Sequence, residues 1–202
     1  EEKDCSDAQK EITEVNTGIM VADTKYLINW LSLISNINSQ KEYYLTDIVA
    51  LAKKDSIKIN TIKANSEITI SGVNSKIELA KMERAIQLKK SNALMEQGVT
   101  LLDPSRTDIR GHLDCGTDVV IDVGCIFEGK VKIGKNVTIG AYSILKDSEI
   151  LNDSIIKPYS HIDNAKVGKN NIIGPYARLR PGTVTNENVH IGNFVEIKNS
   201  KI

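Results

Sequence analysis

A six-residue repeat occupies the second half of the chain, from Ile121 to Ile202. Each unit carries one large apolar residue, and glycine often follows it. These positions are Ile121, Phe127, Ile133, Ile139, Leu145 and Leu151 and, after an irregular stretch, Val167, Ile173, Leu179, Ile191 and Ile197, with Thr185 as the one polar substitute. A period of six fits neither an amphipathic helix nor an alternating strand. It predicts a parallel β-helix, in which each hexad forms one side of a triangular coil and stacked coils share one core.

The limits of the repeat are also visible in the sequence. Leu102, Ile109 and Leu113 are expected to begin the solenoid core. The stretch from Lys157 to Ala165 is out of phase with the hexads, which predicts a corner loop there.

Composition excludes several classes of protein. Lys plus Arg and Asp plus Glu balance at 26 each, so no basic face for nucleic acid is expected. No apolar run approaches the length of a membrane span. The three cysteines have neither disulfide nor metal-site spacing, which is typical of reduced thiols in a cytoplasmic protein. Cys125 is expected simply to fill an inward position of the repeat.

The first part of the chain, residues 1–76, is predicted to be a mixed α/β unit. Asp23 is a good N-cap for one helix, and a second helix is expected over Ile48–Lys54. Three stretches resemble strands because apolar residues recur along them. They are Glu11–Ala22, interrupted by Asn16-Thr17-Gly18, then Ile57–Ile62, then Glu67–Ile70.

A long helix is predicted to follow. Its pattern runs from Lys76 to about Gln97, with Asn74 or Ser75 as N-cap and Gly98 as the stop signal. We interpret residues 77–97 as a rigid helical linker and residues 98–202 as the solenoid domain.

Three segments of the first part place polar side chains at turns. Asn16 lies at a break between apolar stretches, where it could contact a ligand or simply form a turn. Tyr43, Tyr44 and Thr46 precede a helix N-terminus, a favourable place for sugar hydroxyls and phosphates; packing of Tyr43 and helix capping by Thr46 explain them equally well. Asn74 could offer its carbonyl oxygen to Mg²⁺ or serve only as a cap.

Taken together and in order, the motifs resemble one family. They are EVNTGI, EYYLTDI, GVN, LLDPSRTDIRG, GPYARLRPG and IGNFVEIKNS. The sequence resembles, over essentially its whole length, the bacterial bifunctional N-acetylglucosamine-1-phosphate uridylyltransferases/glucosamine-1-phosphate acetyltransferases, the GlmU family. The resemblance implies an α/β plus β-solenoid fold: the C-terminal part of a Rossmann-like nucleotidyltransferase domain, a long connecting helix and a left-handed parallel β-helix of hexapeptide repeats.

For the first part, the resemblance implies uridylyl transfer. UTP and N-acetylglucosamine 1-phosphate would give UDP-N-acetylglucosamine and pyrophosphate, with Mg²⁺ offsetting charge on the oxygens. The residues that match the family's sugar-contacting and pocket-lining positions are Glu1, Asn16, Tyr44 and Thr46. Asn74 matches an asparagine that shares Mg²⁺ with an upstream aspartate.

For the second part, the resemblance implies trimerisation and transfer of acetyl from acetyl-CoA to the amine of glucosamine 1-phosphate. Arg180 and Lys198 match the family's cations for the sugar phosphate. None of His112, His161 and His190 matches the family's general base, and His190 should point outward because Ile191 points inward. No catalytic residue is therefore assigned, and the general base is expected beyond Ile202.

Two further expectations concern the chain as a whole. It begins without Met and ends within the repeat, where an uncapped coil would expose apolar side chains, so we expect an internal piece of a longer protein that lacks both complete sites. The alternative function is a non-catalytic module that binds a nucleotide sugar and trimerises. A third interpretation is a sugar nucleotidyltransferase whose β-helix serves only for assembly.

Overall fold

The computed structural model describes residues 2–202, so Glu1, predicted to contact the sugar, lies outside the described residues. The chain divides into two compact units, one ending at Gly72 and the other spanning Val73–Ile202. The predicted division into 1–76, 77–97 and 98–202 stays a prediction. In the described part of the chain, no helix combines the length and hydrophobicity that crossing a membrane requires.

The first unit is built from short helices. They are α1 (Asp7–Lys10), α2 (Thr24–Leu33) and α3 (Ile48–Lys54), with 3₁₀ turns at Glu2–Asp4, Leu45–Asp47 and Glu67–Thr69. Helix α2 begins as predicted, because the Asp23 carboxylate accepts a hydrogen bond from the Lys25 backbone N–H. The core of the first unit is small: its buried apolar residues are Trp30, Ile48 and Ala52.

The three strands predicted in this unit are not present in the structure. No strand occurs in residues 2–72, and Glu67–Thr69 forms a 3₁₀ turn instead. A strand needs a neighbouring strand for its backbone hydrogen bonds, and residues 2–72 contain none. Met20 and Ile57 pack against the small core, whereas most other apolar residues of these stretches are exposed. Val21 and Ile62 are almost fully exposed. A Rossmann-like arrangement is therefore not seen among the described residues.

Helix α4 spans Lys76–Glu96 and opens the second unit. Of the two predicted N-caps, Ser75 is the one used, and it forms a capping box with Glu78. Gly98, the predicted stop, adopts a left-handed backbone just after the helix end. The helix packs on the solenoid: Gln87 is buried, its amide donating to the Ile109 carbonyl and accepting from the Ile109 N–H. Residues predicted to form a connector thus pack against the first coils.

The solenoid is a stack of parallel strands on three faces. The strands are β1 (Thr100–Leu101), β2 (Asp108–Cys115), β3 (Val120–Ile121), β4 (Ile126–Ile133), β5 (Thr138–Ile139), β6 (Ile144–Lys146), β7 (Glu149–Ile150), β8 (Ile155–Ile156), β9 (His161–Asp163), β10 (Lys166–Val167), β11 (Ile172–Ile173), β12 (Arg178–Leu179), β13 (His190–Ile191) and β14 (Glu196–Ile197). A 3₁₀ turn at Pro104–Arg106 precedes β2. All pairings are parallel, and the inward apolar residues form one continuous core. The predicted parallel β-solenoid is confirmed.

The register along one face gives the size of a coil. Ile121 pairs with Ile139, and Ile139 pairs with Ile156, so successive coils take 18 and 17 residues (139 − 121 and 156 − 139). The shorter coils have a two-residue corner, such as Lys146-Asp147, where the longer ones have three residues, such as Arg180-Pro181-Gly182.

The structure corrects three details of the sequence interpretation. The next inward aliphatic residue after Leu145 is Ile150, not Leu151, because the corner is one residue shorter than a hexad requires. Lys157–Ala165 is not a corner loop: it contains β9, and Ile162 is fully buried. At the start of the solenoid, Leu101 is buried and Leu102 is exposed.

Other positions agree with prediction. Cys125 and Thr185 point inward, and Ile109 is buried. The Thr185 hydroxyl accepts hydrogen bonds from the Gly168 N–H and from the Asn171 amide, which explains how the core accommodates it. Across residues 2–202 every buried side-chain polar atom has a hydrogen-bond partner.

Candidate functional site

A row of charged side chains runs along one face of the solenoid. Because β2, β4, β6, β9, β12 and β14 pair in register, one side chain from each coil, at or just after the strand, lies above the next. We call this row the charge ladder; its members are Arg110, Glu128, Lys146, Asp163, Arg180 and Lys198. The sign alternates from Arg110 to Arg180 and then repeats at Lys198.

Alternation is the arrangement that electrostatics favours on a sheet. Opposite charges directly across parallel strands attract, whereas like charges in that position destabilise the pair. At the other end of the ladder, Arg110 forms an ion pair with Glu128 at 3.2 Å. Arg180 and Lys198 are the exception, because the register places two cations on neighbouring coils.

One carboxylate lies beside this cation pair. Arg180 Nη1 is 2.9 Å from Glu196 Oε1, and Arg178 Nη1 is 3.3 Å from Glu196 Oε2. The hydrogen bond from Arg180 is the main reason why the pKa of Glu196 lies below its ordinary value. Among residues 2–202 no carboxylate forms an ion pair with Lys198, which is exposed. Its ammonium group is therefore available to an anion.

The chain around Arg180 is held by a tight turn. The sequence Arg180-Pro181-Gly182-Thr183 has proline second and glycine third, and Gly182 has a φ of +82°, as a type II turn requires. The Thr183 N–H donates to the Arg180 carbonyl, closing the turn. A Cβ on Gly182 would lie 2.8 Å from Asn199 Oδ1, so the corner also needs glycine for space.

This arrangement can bind a phosphate monoester. A guanidinium recognises phosphate oxygens with two parallel N–H groups, and lysine adds a point charge. Arg180 is about a third exposed and Lys198 is exposed, so both reach solvent. The sequence indicated both residues, but it missed Glu196, whose only signal was its place two residues before Lys198.

A separate open groove lies around the next corner of the solenoid. It has a volume of about 590 Å³ and mixed charge, with Lys166 paired to Glu149 at 2.8 Å. Neither Arg180 nor Lys198 lines it. Of the lysines that line it, Lys166 has an ion-pair partner, which Lys198 lacks among residues 2–202.

The residues predicted for the first unit make hydrogen bonds to different partners. The Asn16 side chain accepts from the Gly18 N–H at 2.7 Å, the turn role that the sequence left open. The Tyr44 hydroxyl donates to Asp4 at 3.0 Å and accepts from Gln40. Desolvation is the main reason why the pKa of Tyr44 lies above its usual range. Thr46 lies in the 3₁₀ turn before α3 and is half-buried.

Asn74 lies immediately before the N-cap of α4, in the second unit. Its N–H donates to the Glu78 carboxylate at 2.6 Å, and the same carboxylate accepts a hydrogen bond from the Ser75 N–H. A magnesium ion prefers several oxygen ligands with near-octahedral geometry. In the described part of the chain no group of three or more His, Cys, Asp or Glu side chains could hold a metal. The described residues therefore do not by themselves form a magnesium site, and Asn74 could supply one neutral oxygen only.

His190 lies on the solenoid surface, as its place before Ile191 predicted. His190 is exposed, and the following residue, Ile191, is buried. His161 lies in β9, two residues before the ladder member Asp163.

Comparison with solved structures finds distant likenesses. A single-residue mutant of AntD, an N-acyltransferase from Bacillus cereus, has a TM-score of 0.46 and 20% identity, covering 63% of this chain and 81% of that one. The acetyltransferase domain of PglB from Neisseria gonorrhoeae has a TM-score of 0.45 and 15% identity, covering 59% and 62%. Likenesses at this level carry no argument about function.

Sequence comparison finds much closer relatives. A family model described as the GMPPB C-terminal domain matches residues 109–202. The protein named bifunctional protein GlmU of Nitrosospira multiformis is 54% identical over all 202 residues, and that of a Janthinobacterium species is 55% identical. This chain spans 44% and 45% of the length of those relatives. The resemblance predicted from the motifs is therefore confirmed: over its whole length this chain is homologous to a segment of the bifunctional GlmU proteins.

Proposed function

We propose that the solenoid binds the phosphate of glucosamine 1-phosphate through Arg180 and Lys198 and thereby serves transfer of acetyl from acetyl-CoA to the sugar amine. The observation that carries this proposal is the like-charge pair at the end of an otherwise alternating ladder. Like charges on neighbouring strands repel each other and destabilise the pairing. A bound phosphate would turn that repulsion into attraction.

The roles of the individual side chains follow from their chemistry. Arg180 would orient the phosphate by paired N–H donors, while Glu196 holds the guanidinium in place. Lys198 would add a positive point charge that attracts the phosphate without requiring a fixed hydrogen-bond geometry. Holding the sugar by its phosphate would present its amine at a defined place for the acyl donor. No residue of this chain is assigned as the base that takes the amine proton.

The uridylyltransferase function is a second proposal, supported by the homology and by motif matches. Tyr44 and Thr46 would line the acetamido-sugar pocket, with Asn16 as a further substrate-binding residue and Glu1 as a sugar contact. Asn74 would share Mg²⁺ with a carboxylate that this chain does not supply. UTP, N-acetylglucosamine 1-phosphate and UDP-N-acetylglucosamine would be the corresponding ligands. The trimer stays a prediction from the resemblance, and the cytoplasmic location stays a prediction from the cysteine pattern.

The test uses the full-length bifunctional protein of which we propose that this chain is a segment. Arg180→Ala and Lys198→Ala should each lower kcat/KM for acetyl transfer by roughly 10- to 150-fold, because each removes a charged hydrogen bond to phosphate. Uridylyl transfer should stay within about twofold of the parent. The matched control is Lys146→Ala, which removes a lysine from the same ladder at a step where the charges alternate.

Other outcomes would point elsewhere. Equal loss of both activities in Arg180→Ala and Lys198→Ala would mean that the two cations act through assembly or stability. Full acetyl transfer in both variants would overturn the proposal and favour the non-catalytic binding module, which calorimetry with UDP-N-acetylglucosamine would then test.

A further inference from the structure

A buried hydroxyl connects the two coils that carry the cation pair. Thr183 is fully buried, and its Oγ1 lies 2.8 Å from the Arg180 carbonyl oxygen and 3.2 Å from the Ile197 carbonyl oxygen. The hydroxyl proton can serve either carbonyl. The Arg180 N–H also donates to the Ile197 carbonyl, at 2.8 Å. These contacts join the backbone of Arg180 to the residue directly before Lys198.

The fold itself does not demand a hydroxyl at this position. The strand register places Val131, Ser148, Ala165 and Thr183 in one inward column, one residue from each coil. Val131 and Ala165 are apolar and well buried. The column therefore accepts both polar and apolar residues, and the hydroxyl of Thr183 calls for a local reason.

A matched bridge two coils earlier helps to identify that reason. Ser148 Oγ lies 2.6 Å from the Lys146 carbonyl oxygen and 3.4 Å from the Ile162 carbonyl oxygen, which are the corresponding two carbonyls. The ladder members above that bridge are Lys146 and Asp163, whose opposite charges attract. At Thr183 the members above the bridge repel each other.

We propose that Thr183 is a positioning residue of the sugar-phosphate site: its hydroxyl fixes the spacing of Arg180 and Lys198 against their mutual repulsion. The inference rests on the proposed function of that pair. Thr183 is fully buried, so its hydroxyl does not touch the phosphate directly. Its effect would reach the phosphate through the backbone carbonyls of the two coils.

The experiment compares three variants of the full-length protein. Thr183→Val keeps the shape and removes the hydroxyl, Thr183→Ser keeps the hydroxyl, and Ser148→Ala removes the matched bridge under the attractive pair. Thr183→Val should raise KM for glucosamine 1-phosphate by roughly 2- to 12-fold, the value of one hydrogen bond, with a smaller change in kcat. Thr183→Ser should have the same KM as the parent, and Ser148→Ala should also leave KM unchanged.

The outcomes separate this inference from the proposed function. The thermal midpoint is measured for every variant. If Thr183→Val does not fold, Thr183→Ala replaces it, because Ala165 shows that the same column accepts alanine. An unchanged KM in Thr183→Val, or an equal rise in Ser148→Ala, overturns the positioning role while Arg180→Ala still impairs acetyl transfer. If Arg180→Ala leaves acetyl transfer intact, the proposed function fails, and the role of Thr183 fails with it.

Discussion

The two compact units of this chain bury apolar residues in contrasting ways. In the solenoid, each coil repeats the same inward positions and pairs with the coil on either side, so its buried residues form one continuous cluster. In the first unit the buried cluster has three members, and many apolar side chains such as Val15, Ile37 and Ile62 are exposed. Stacking lets a short repeat build a large core, whereas three short helices bury little.

The same contrast applies to sites. A solenoid places residues from successive coils in columns, so two side chains 18 positions apart, Arg180 and Lys198, become neighbours on a firmly paired sheet. In the first unit the predicted ligand residues lie on turns, and Asn16 and Tyr44 bond to separate local partners. The contrast predicts that substitutions in one unit leave the other folded.

Removing the one tryptophan should give the largest effect. Trp30 packs in the first unit, stacks on Tyr26 and donates to Asp55 at 2.8 Å, so Trp30→Ala should cost that unit about 3–5 kcal/mol. Hydrogen–deuterium exchange should then show lost protection in α2 and α3 and unchanged protection in the solenoid strands. Leu33→Ala, on the exposed side of the same helix, is the control. Equal loss of protection in the solenoid would contradict independent cores.

A neighbouring pair of aliphatic residues tests the register of the solenoid. Ile150 is fully buried and Leu151 is half-buried, although the hexad period favoured Leu151. Ile150→Ala should therefore cost about 2–5 kcal/mol and Leu151→Ala about 1 kcal/mol or less, as measured by urea unfolding. The reverse order would mean that the corner at Lys146-Asp147 is misplaced by one residue.

That pair also shows how far the sequence determines the fold. The hexad pattern correctly located the inward positions from Ile121 to Leu145 and from Val167 onward. Between them the corners at Asp147 and Asn164 are one residue shorter, and adjacent aliphatic residues such as Ile150 and Leu151 give no sign of which one turns inward. A fixed period cannot detect a variable corner.

The site shows a different limit. Motifs identified Arg180 and Lys198 but not their place in an alternating ladder, because the register depends on whether a coil takes 17 or 18 residues. The prediction of strands in the first unit was wrong for a related reason. Alternating apolar residues indicate a segment that could join a sheet, but the segment becomes a strand only when a neighbouring strand pairs with it.

The docked helix should give an intermediate effect. Gln87 makes two hydrogen bonds to the backbone of Ile109, so Gln87→Ala leaves a buried N–H and carbonyl with fewer partners and should cost about 1–3 kcal/mol. Leu88→Ala, next to it and half exposed, should cost less. Chemical denaturation, followed by a signal from the solenoid, measures the free energy of unfolding of both variants. Equal losses would indicate that the docking of α4 does not depend on the Gln87 hydrogen bonds.

Acid should produce the smallest effect. Hydrogen bonds from Ser105 and then Arg106 lower the pKa of Asp103 to about 2, against an ordinary value of 3.8. Its carboxylate therefore favours the folded state above about pH 4, and this contribution is lost as the pH falls toward 2. The thermal midpoint of Asp103→Asn should fall less steeply over that range than the midpoint of the parent. Parallel curves would show that the carboxylate contributes nothing.

The most direct test of the central claim is Lys198→Glu in the full-length protein, followed by acetyl transfer and thermal unfolding together. The substitution restores alternation along the charge ladder, so the thermal midpoint should be equal to or above that of the parent. Acetyl transfer should fall at least as far as in Lys198→Ala, since a carboxylate now faces the phosphate. Acetyl transfer near the parental rate would contradict the claim that the like-charge pair binds the sugar phosphate.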